Sequence, residues 1–185
     1  MTQETASLQS QTESEHPAIG CLRVALSNAR IQATLMFGQA SITIDRGSVR
    51  AATTALRDDP ELKYIRLSDI SAIDNLERRI TPRFEVVYHL YSYLRGDWVR
   101  LRVPVEERDE VVPSIAPQWP AANWFEREVY DMFGIQFAGH PQLTRILMPD
   151  DWEGHPLRKD YPMYGEDVEF TVNQGKVKKK DLGYG

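Results

Sequence analysis

Residues 82–105, PRFEVVYHLYSYLRGDWVRLRVPV, limit the possible fold more than any other stretch. Pro82 to Leu94 is dense in β-branched and aromatic side chains, which favour extended backbone. Arg95-Gly96-Asp97 supplies a turn. From Trp98 to Val105, Trp98, Arg100 and Arg102 alternate with Val99, Leu101 and Val103. A period of two puts the two sets on opposite faces of a sheet. The stretch therefore predicts a β-hairpin. His89, lying among tyrosines in this run, reads as a packed or half-exposed sheet residue rather than a ligand.

Shorter elements surround the hairpin. Ile19, Leu22, Val24, Ala25, Leu26 and Ala29 fall at helical spacing and predict a short amphipathic helix over 18–29. Ala40 to Asp45 alternates Ile42 and Ile44 with polar residues and predicts a strand. Residues 48–57 read as a helix stopped by Asp58-Asp59-Pro60, and 62–73 begins as a strand. After a connector with Pro113 and Pro117, Pro120 opens a helix to about Phe133, capped by Gly134. Trp119, Ala122, Phe125, Val129 and Met132/Phe133 form its apolar stripe. Glu126, Arg127, Glu128 and Asp131 lie beside or opposite, with Arg127 and Asp131 spaced as an i, i+4 ion pair.

From Ile135 to Pro162 neither period persists. Prolines at 141, 149, 156 and 162 and glycines at 139 and 154 bend the chain. Yet Phe137, Leu143, Ile146, Leu147, Met148, Trp152, Leu157 and Tyr161 are apolar. An irregular segment rich in such side chains needs a surface to lie on. The expected organisation is a disordered tail at 1–17, an α/β core at 18–134, an extended partner-docking arm at 135–165, and a flexible or partner-ordered tail at 166–185. The fold class is α+β, an α/β sandwich. A small, mainly antiparallel sheet of about four strands carries flanking helices, followed by a helix and the arm.

Composition removes several functions. The net charge of −5 gives no basic stripe for nucleic acid. No apolar run reaches the 18 or so residues that span a bilayer. The polar, acidic start MTQETASLQSQTESEHP lacks the pattern of a signal peptide, so an intracellular chain is expected. The single cysteine, Cys21, cannot ligate an iron–sulfur cluster, which takes about four, and reads as a small buried hydrophobe.

The arm carries Gly-His-Pro twice, at 139–141 and 154–156, with Asp150, Asp151 and Glu153 between. A metal site needs ligands converging at about 2 Å. His140 and His155 sit in nonhelical segments with nothing to bring them together. No Gly-x-Ser-x-Gly, phosphate loop or dinucleotide fingerprint occurs. Glu126 and Glu128 read as a solvated or salt-bridged helix face rather than an acid/base pair. Arg145, Arg158 and Lys159 alternate with Asp150, Asp151, Glu153 and Asp160. Such a pattern suits a strap whose apolar side chains bury on a partner and whose charges pair at the rim.

Residues 124–162, WFEREVYDMFGIQFAGHPQLTRILMPDDWEGHPLRKDYP, resemble the signature of the 30-kDa subunit family of respiratory complex I. The match lies in Glu126-Arg127-Glu128, Tyr130-Asp131, Phe133-Gly134, Gly139-His140-Pro141, Arg145-Ile146-Leu147, Pro149, Asp151-Trp152 and Gly154 through Pro162. Residues 40–115 are compatible with the family and less diagnostic.

The resemblance implies a peripheral-arm subunit on the cytoplasmic side of the plasma membrane. It would sit beside the large quinone-site protein of the complex (its D subunit) and near the cluster-holding B and I subunits. The whole enzyme would pass electrons from NADH through FMN and iron–sulfur clusters to quinone and pump protons. No flavin, cluster, metal, quinone or catalytic residue is expected in this chain. The expected partner-interface residues are Glu126, Arg127, Glu128, Asp131, His140, Arg145, Asp151, Trp152, His155, Arg158, Lys159, Asp160 and Tyr161. Glu126, Glu128 and Asp131 are expected to pair with partner arginines or with Arg127 and Arg145. A cut after Gly134 is expected to leave a folded domain. The alternatives are a homologous subunit of a membrane-bound [NiFe] hydrogenase or formate hydrogenlyase, and a metallohydrolase built on His140 and His155.

Overall fold

The computed structural model describes residues 16–27 and 29–162. The expected tail at 166–185 and nearly all of the one at 1–17 lie outside the described residues. Among the described residues, three α-helices and a five-stranded sheet share one apolar core.

Helix α1, Pro17–Ala25, begins where proline fits the first helical position and the His16 ring accepts the Ala18 amide at 3.3 Å. It ends before the Ala29 expected from periodicity. Strands β1 (Ile31–Met36) and β2 (Gln39–Ile44) form a hairpin, followed by a 3-10 turn at Arg46–Ser48 and helix α2, Val49–Asp58. Strand β3 is Arg66–Asp74, and a second 3-10 turn spans Leu76–Arg78. The hairpin read from sequence is β4 (Phe84–Ser92) and β5 (Asp97–Val105), paired from Phe84↔Val105 to Ser92↔Asp97.

The strand order is β1-β2-β5-β4-β3, with β2 and β5 parallel and every other pair antiparallel. The sheet thus has five strands where sequence implied about four. The extra one, β1, is an edge strand with Ala33 as its one buried residue, so its alternation carries little apolar signal.

One sheet face holds Ile42, Ile44, Tyr88, Leu90, Leu101 and Val103, all fully buried. Val49, Ala52 and Leu56 of α2 and Ile19 and Leu22 of α1 join them in that core. Helix α3, Ala122–Phe133, packs over β3 with the expected stripe inward. Gly134 closes it at φ 81°, a left-handed cap that favours glycine.

The core does not end there. Ile135 and Phe137 are buried, and β7 (Gln136–Ala138) pairs in parallel with β6 (Val111–Pro113). The boundary expected at 134 therefore falls after 138. A cut after Gly134 would remove two core side chains and a strand, so the domain it leaves is expected to be less stable.

Candidate partner-docking site

Helix α3 and the arm build the site. Two carboxylates expected on a solvated helix face are fully buried: Glu126 and Asp131. Each is enclosed because a loop supplies donors to it, a pattern that helical periodicity cannot reveal.

Glu126 accepts Ser114 Oγ at 2.6 Å and the Ile115 amide at 2.7 Å. Its Oε2 lies 4.0 Å from His140 Nε2. Burial pushes its carboxyl up to about 7, opposed by the Ser114 and Ile115 hydrogen bonds and the positive charge of Arg50. Arg50 in turn donates to the carbonyls of Ser114 at 2.7 Å and Ala138 at 3.0 Å. Glu126 thus ties α3 to the loop after β6, beside the start of the arm.

Asp131 fastens the arm. Its Oδ2 accepts the amides of Ile146, Leu147 and Met148 at 3.0, 2.8 and 2.9 Å. Its Oδ1 accepts Arg145 Nη1 at 2.6 Å. Burial raises this carboxyl, but those amides and the Arg145 guanidinium outweigh it and hold the group below the usual carboxylate range. Arg145 also donates to the carbonyls of Trp152 at 2.9 Å and Gly154 at 3.1 Å. The i, i+4 pair of Arg127 with Asp131 does not form. Arg127 instead donates to the carbonyls of Thr144 and Arg145 and stacks on Trp124, 5.2 Å from its centroid.

The two Gly-His-Pro triplets are bends. His140 accepts the Gln142 amide at Nδ1 (3.0 Å), which leaves Nε2–H to donate to the Asn123 carbonyl at 3.1 Å. His155 donates from Nδ1 to the Asp131 carbonyl at 2.9 Å. Among the described residues no three histidine, cysteine, aspartate or glutamate side chains gather as metal ligands.

The end of the arm locks onto the sheet. The Leu157 amide donates to the Met132 carbonyl at 3.1 Å, and Arg158 to the Phe133 carbonyl and Glu110, both at 2.5 Å. The Lys159 amide reaches Asp74 at 2.9 Å. Arg83 binds Asp74, Glu107 and Asp160 at 2.8, 2.5 and 2.7 Å. The guanidiniums of Arg83 and Arg158 both lie over Phe84, 4.7 and 5.0 Å from its centroid. Burial raises the Asp74 carboxyl, but Arg83 and the amides of Lys159 and Leu76 hold it down to about 2. Gly134 sits directly beneath this lock, where a Cβ would lie 2.5 Å from Arg158 Nη2 and 2.6 Å from His155 Nε2.

The expected interface residues thus divide. Glu126, Asp131, His140, Arg145, His155, Arg158 and Asp160 bond within the chain, and so does Arg127. Tyr161 donates its amide to the Arg158 carbonyl and its hydroxyl to that of Glu153. Asp131 pairs with Arg145, one of the arrangements expected for it, and these groups are engaged within the chain. Glu128, Asp151 and Lys159 face solvent, and Trp152 is half-buried. Sequence reasoning passed over Arg83, Asp74, Ser114 and Glu110, whose partners in α3 or the arm lie from 12 to 85 residues away in the chain. The outward apolar side chains are Trp124, Leu147 and Leu157, exposed by 60%, 61% and 52%. An apolar set framed by charges is the surface type that protein partners cover.

Comparison with known proteins agrees with this architecture. A family model described as the respiratory-chain NADH dehydrogenase 30-kDa subunit matches residues 42–167. The C subunit of NADH-quinone oxidoreductase from Roseiflexus castenholzii is 48% identical over 156 residues, covering 84% of this chain and 88% of that one. Its counterpart in Citrifermentans bemidjiense is 45% identical over 152 residues, covering 82% and 92%. The trypsin-resistant fragment of Nqo5 superposes with a TM-score of 0.52 at 30% identity, over 66% of this chain and 96% of that one. A chain of a membrane-bound sulfane sulfur reductase, an archaeal respiratory membrane complex, shares the fold with a TM-score of 0.62 at 20% identity, over 88% and 93%. The chain belongs to the respiratory-chain NADH dehydrogenase 30-kDa subunit family.

Proposed function

We propose that this chain is a peripheral-arm subunit of a proton-pumping NADH:quinone oxidoreductase, which supports assembly and electron transfer without carrying redox chemistry. The 48% identity to an NADH-quinone oxidoreductase subunit over most of both chains supports this reading above the hydrogenase alternative. NADH, FMN, the clusters and quinone would be bound by other subunits. The proposed neighbours are the large quinone-site (D) protein and the B and I subunits, on the cytoplasmic side of the membrane. Attachment would run through those proteins, since no described helix is long and apolar enough to cross a bilayer.

The observation that carries the docking role is the fastened arm. Asp131 and Arg145 on one side and Arg83 and Arg158 on the other hold residues 143–161 against their own domain. Leu147 and Leu157 remain outward. The arm is then a preformed ridge for a partner groove.

The test is a cell whose native copy is replaced by a tagged full chain carrying Leu147→Asp and Leu157→Asp. The variant is expected to keep its thermal unfolding midpoint, lose the co-purifying large quinone-site subunit, and lower membrane NADH:quinone activity. Unchanged complex composition and activity would refute the reading.

A further inference from the structure

We propose that the outer face of the five-stranded sheet, opposite the helices, is a second docking face whose occupant is an extended acidic segment of a neighbouring polypeptide. This rests on membership of a multi-subunit complex and is independent of the arm.

The strand registers set out the face in rows. Arg66, Tyr91 and Trp98 form one. Asp69, His89, Arg100 and Ser41 form the next, then Ser71, Val87, Arg102 and Thr43. Tyr91 is the centre of an aromatic cluster, with Tyr93 edge-on at 5.1 Å and Trp98 tilted at 4.7 Å. Tyr93 and Trp98 remain exposed, as do Arg66 and Arg100. Tyrosine, tryptophan and arginine are the residue types that dominate binding hot spots.

Charge names the occupant. Arg102 is satisfied by both oxygens of Glu85, at 2.5 and 2.8 Å. Among the described residues the Arg66 guanidinium hydrogen-bonds to the Tyr93 hydroxyl at 3.3 Å and that of Arg100 to His89 Nε2 at 2.9 Å. Among the described residues no carboxylate forms a salt bridge with either guanidinium. On this face Arg66, Arg100 and Arg102 outnumber Asp69 and Glu85, and the two arginines without a salt bridge suit carboxylates from outside.

Shape limits the occupant's size. Gln39, Ser68, Asp69, His89, Trp98 and Arg100 line a concavity of about 330 Å³. Ser68 sits at a β-bulge between Leu67 and Asp69, and its hydroxyl is shielded from solvent with no partner among the described residues. Four strands and three rows span roughly 20 by 20 Å. That is smaller than the ~800 Å² per partner of a standard interface and suits a segment rather than a whole domain.

The experiment places a photo-crosslinking residue, Trp98→p-benzoylphenylalanine, in the full chain within cells that assemble the complex. A second strain carries the same probe at Leu147. Adducts are mapped by mass spectrometry. From Trp98 the expected adduct is a peptide of another subunit with two or more Asp or Glu residues. Adding Arg66→Gln and Arg100→Gln is expected to lower its yield about tenfold or more, with thermal unfolding and the Leu147 adduct unchanged. Absence of any adduct from Trp98 overturns the proposal. So does an adduct to a second copy, to this chain itself or to a segment without acids, and so does an unchanged yield in the arginine variant. Loss of the Leu147 adduct alone would remove the arm reading and leave this one standing.

Discussion

Replacing Glu126 by Gln should change how stability depends on pH. Glu126 is fully buried, and its carboxyl is pushed from 4.5 up to about 7. Folding therefore favours the protonated form, and the sign follows by linkage. Below 4.5 both states hold the proton and the full contribution is present. Between 4.5 and about 7 only the folded state holds it, and stability falls by about 1.4 kcal/mol per pH unit. Above about 7 the loss is complete, at about 3 kcal/mol. Glutamine keeps an acceptor oxygen for the Ile115 amide and can turn its NH2 to donate to Ser114 Oγ, but it cannot ionise. Carboxylates common to both proteins, Asp131 and Asp74 included, cancel in the comparison.

Urea unfolding of the full chain, wild type and Glu126→Gln, at pH 5 and pH 8 measures the effect. Whatever the gap between the proteins at pH 5, it should move by about 2–3 kcal/mol in favour of the variant at pH 8. A gap constant to within about 0.5 kcal/mol would show that Glu126 is ionised throughout and refute the reasoning. Glu126→Ala is expected to destabilise at both pH values, since it leaves Ser114 Oγ and the Ile115 amide without their acceptor.

Asp131→Asn should release the arm. It removes the charge facing Arg145 and weakens three amide bonds, so hydrogen exchange at the Ile146, Leu147 and Met148 amides should quicken, with a stability loss of about 3 kcal/mol. Unchanged protection would count against the fastening. Arg83→Ala leaves Asp74 buried without its arginine and should cost about 3–5 kcal/mol at pH 7. Because the Asp74 carboxyl is depressed to about 2, its stabilisation is present above 3.8 and is lost as pH falls toward 2, so the variant's deficit in chemical unfolding should shrink in acid. Gly134→Ala should cost more than the ~1 kcal/mol of a strained cap, because the new methyl meets His155 and Arg158. A loss at or below that figure would mean the arm shifts freely.

The fold was legible where local pattern and burial coincide. The β4–β5 hairpin, α2 and the capped end of α3 follow from period and turn chemistry. Strand β1 escaped because an edge strand with one buried alanine has little pattern to read. The site was legible as a segment but not in its wiring. The charges between Arg145 and Asp160 suggested a rim facing a partner. Arg145, Arg158 and Asp160 close on Asp131, Glu110 and Arg83, whose positions depend on the sheet and on α3, while Asp150, Asp151 and Glu153 stay exposed. Burial of Glu126 and Asp131 could not be read from helix periodicity either. Each lies beside the apolar stripe and is enclosed by a loop that supplies donors, and only tertiary structure brings those loops in.

Fastening the arm within the chain changes what docking requires. A free segment of this length would lose backbone freedom on meeting its partner, at about 1–2 kcal/mol per residue. Here Asp131 holds three consecutive amides and Arg145 holds two carbonyls further along, so that ordering belongs to folding rather than to association. Few outward contacts are then needed. Leu147, Leu157 and Trp124, on a ridge already in shape, can contribute binding energy that a loose strap would lose to entropy. Arg145, Arg158 and Asp160, which look like part of a docking code in the sequence, act one step earlier, by holding that ridge in place.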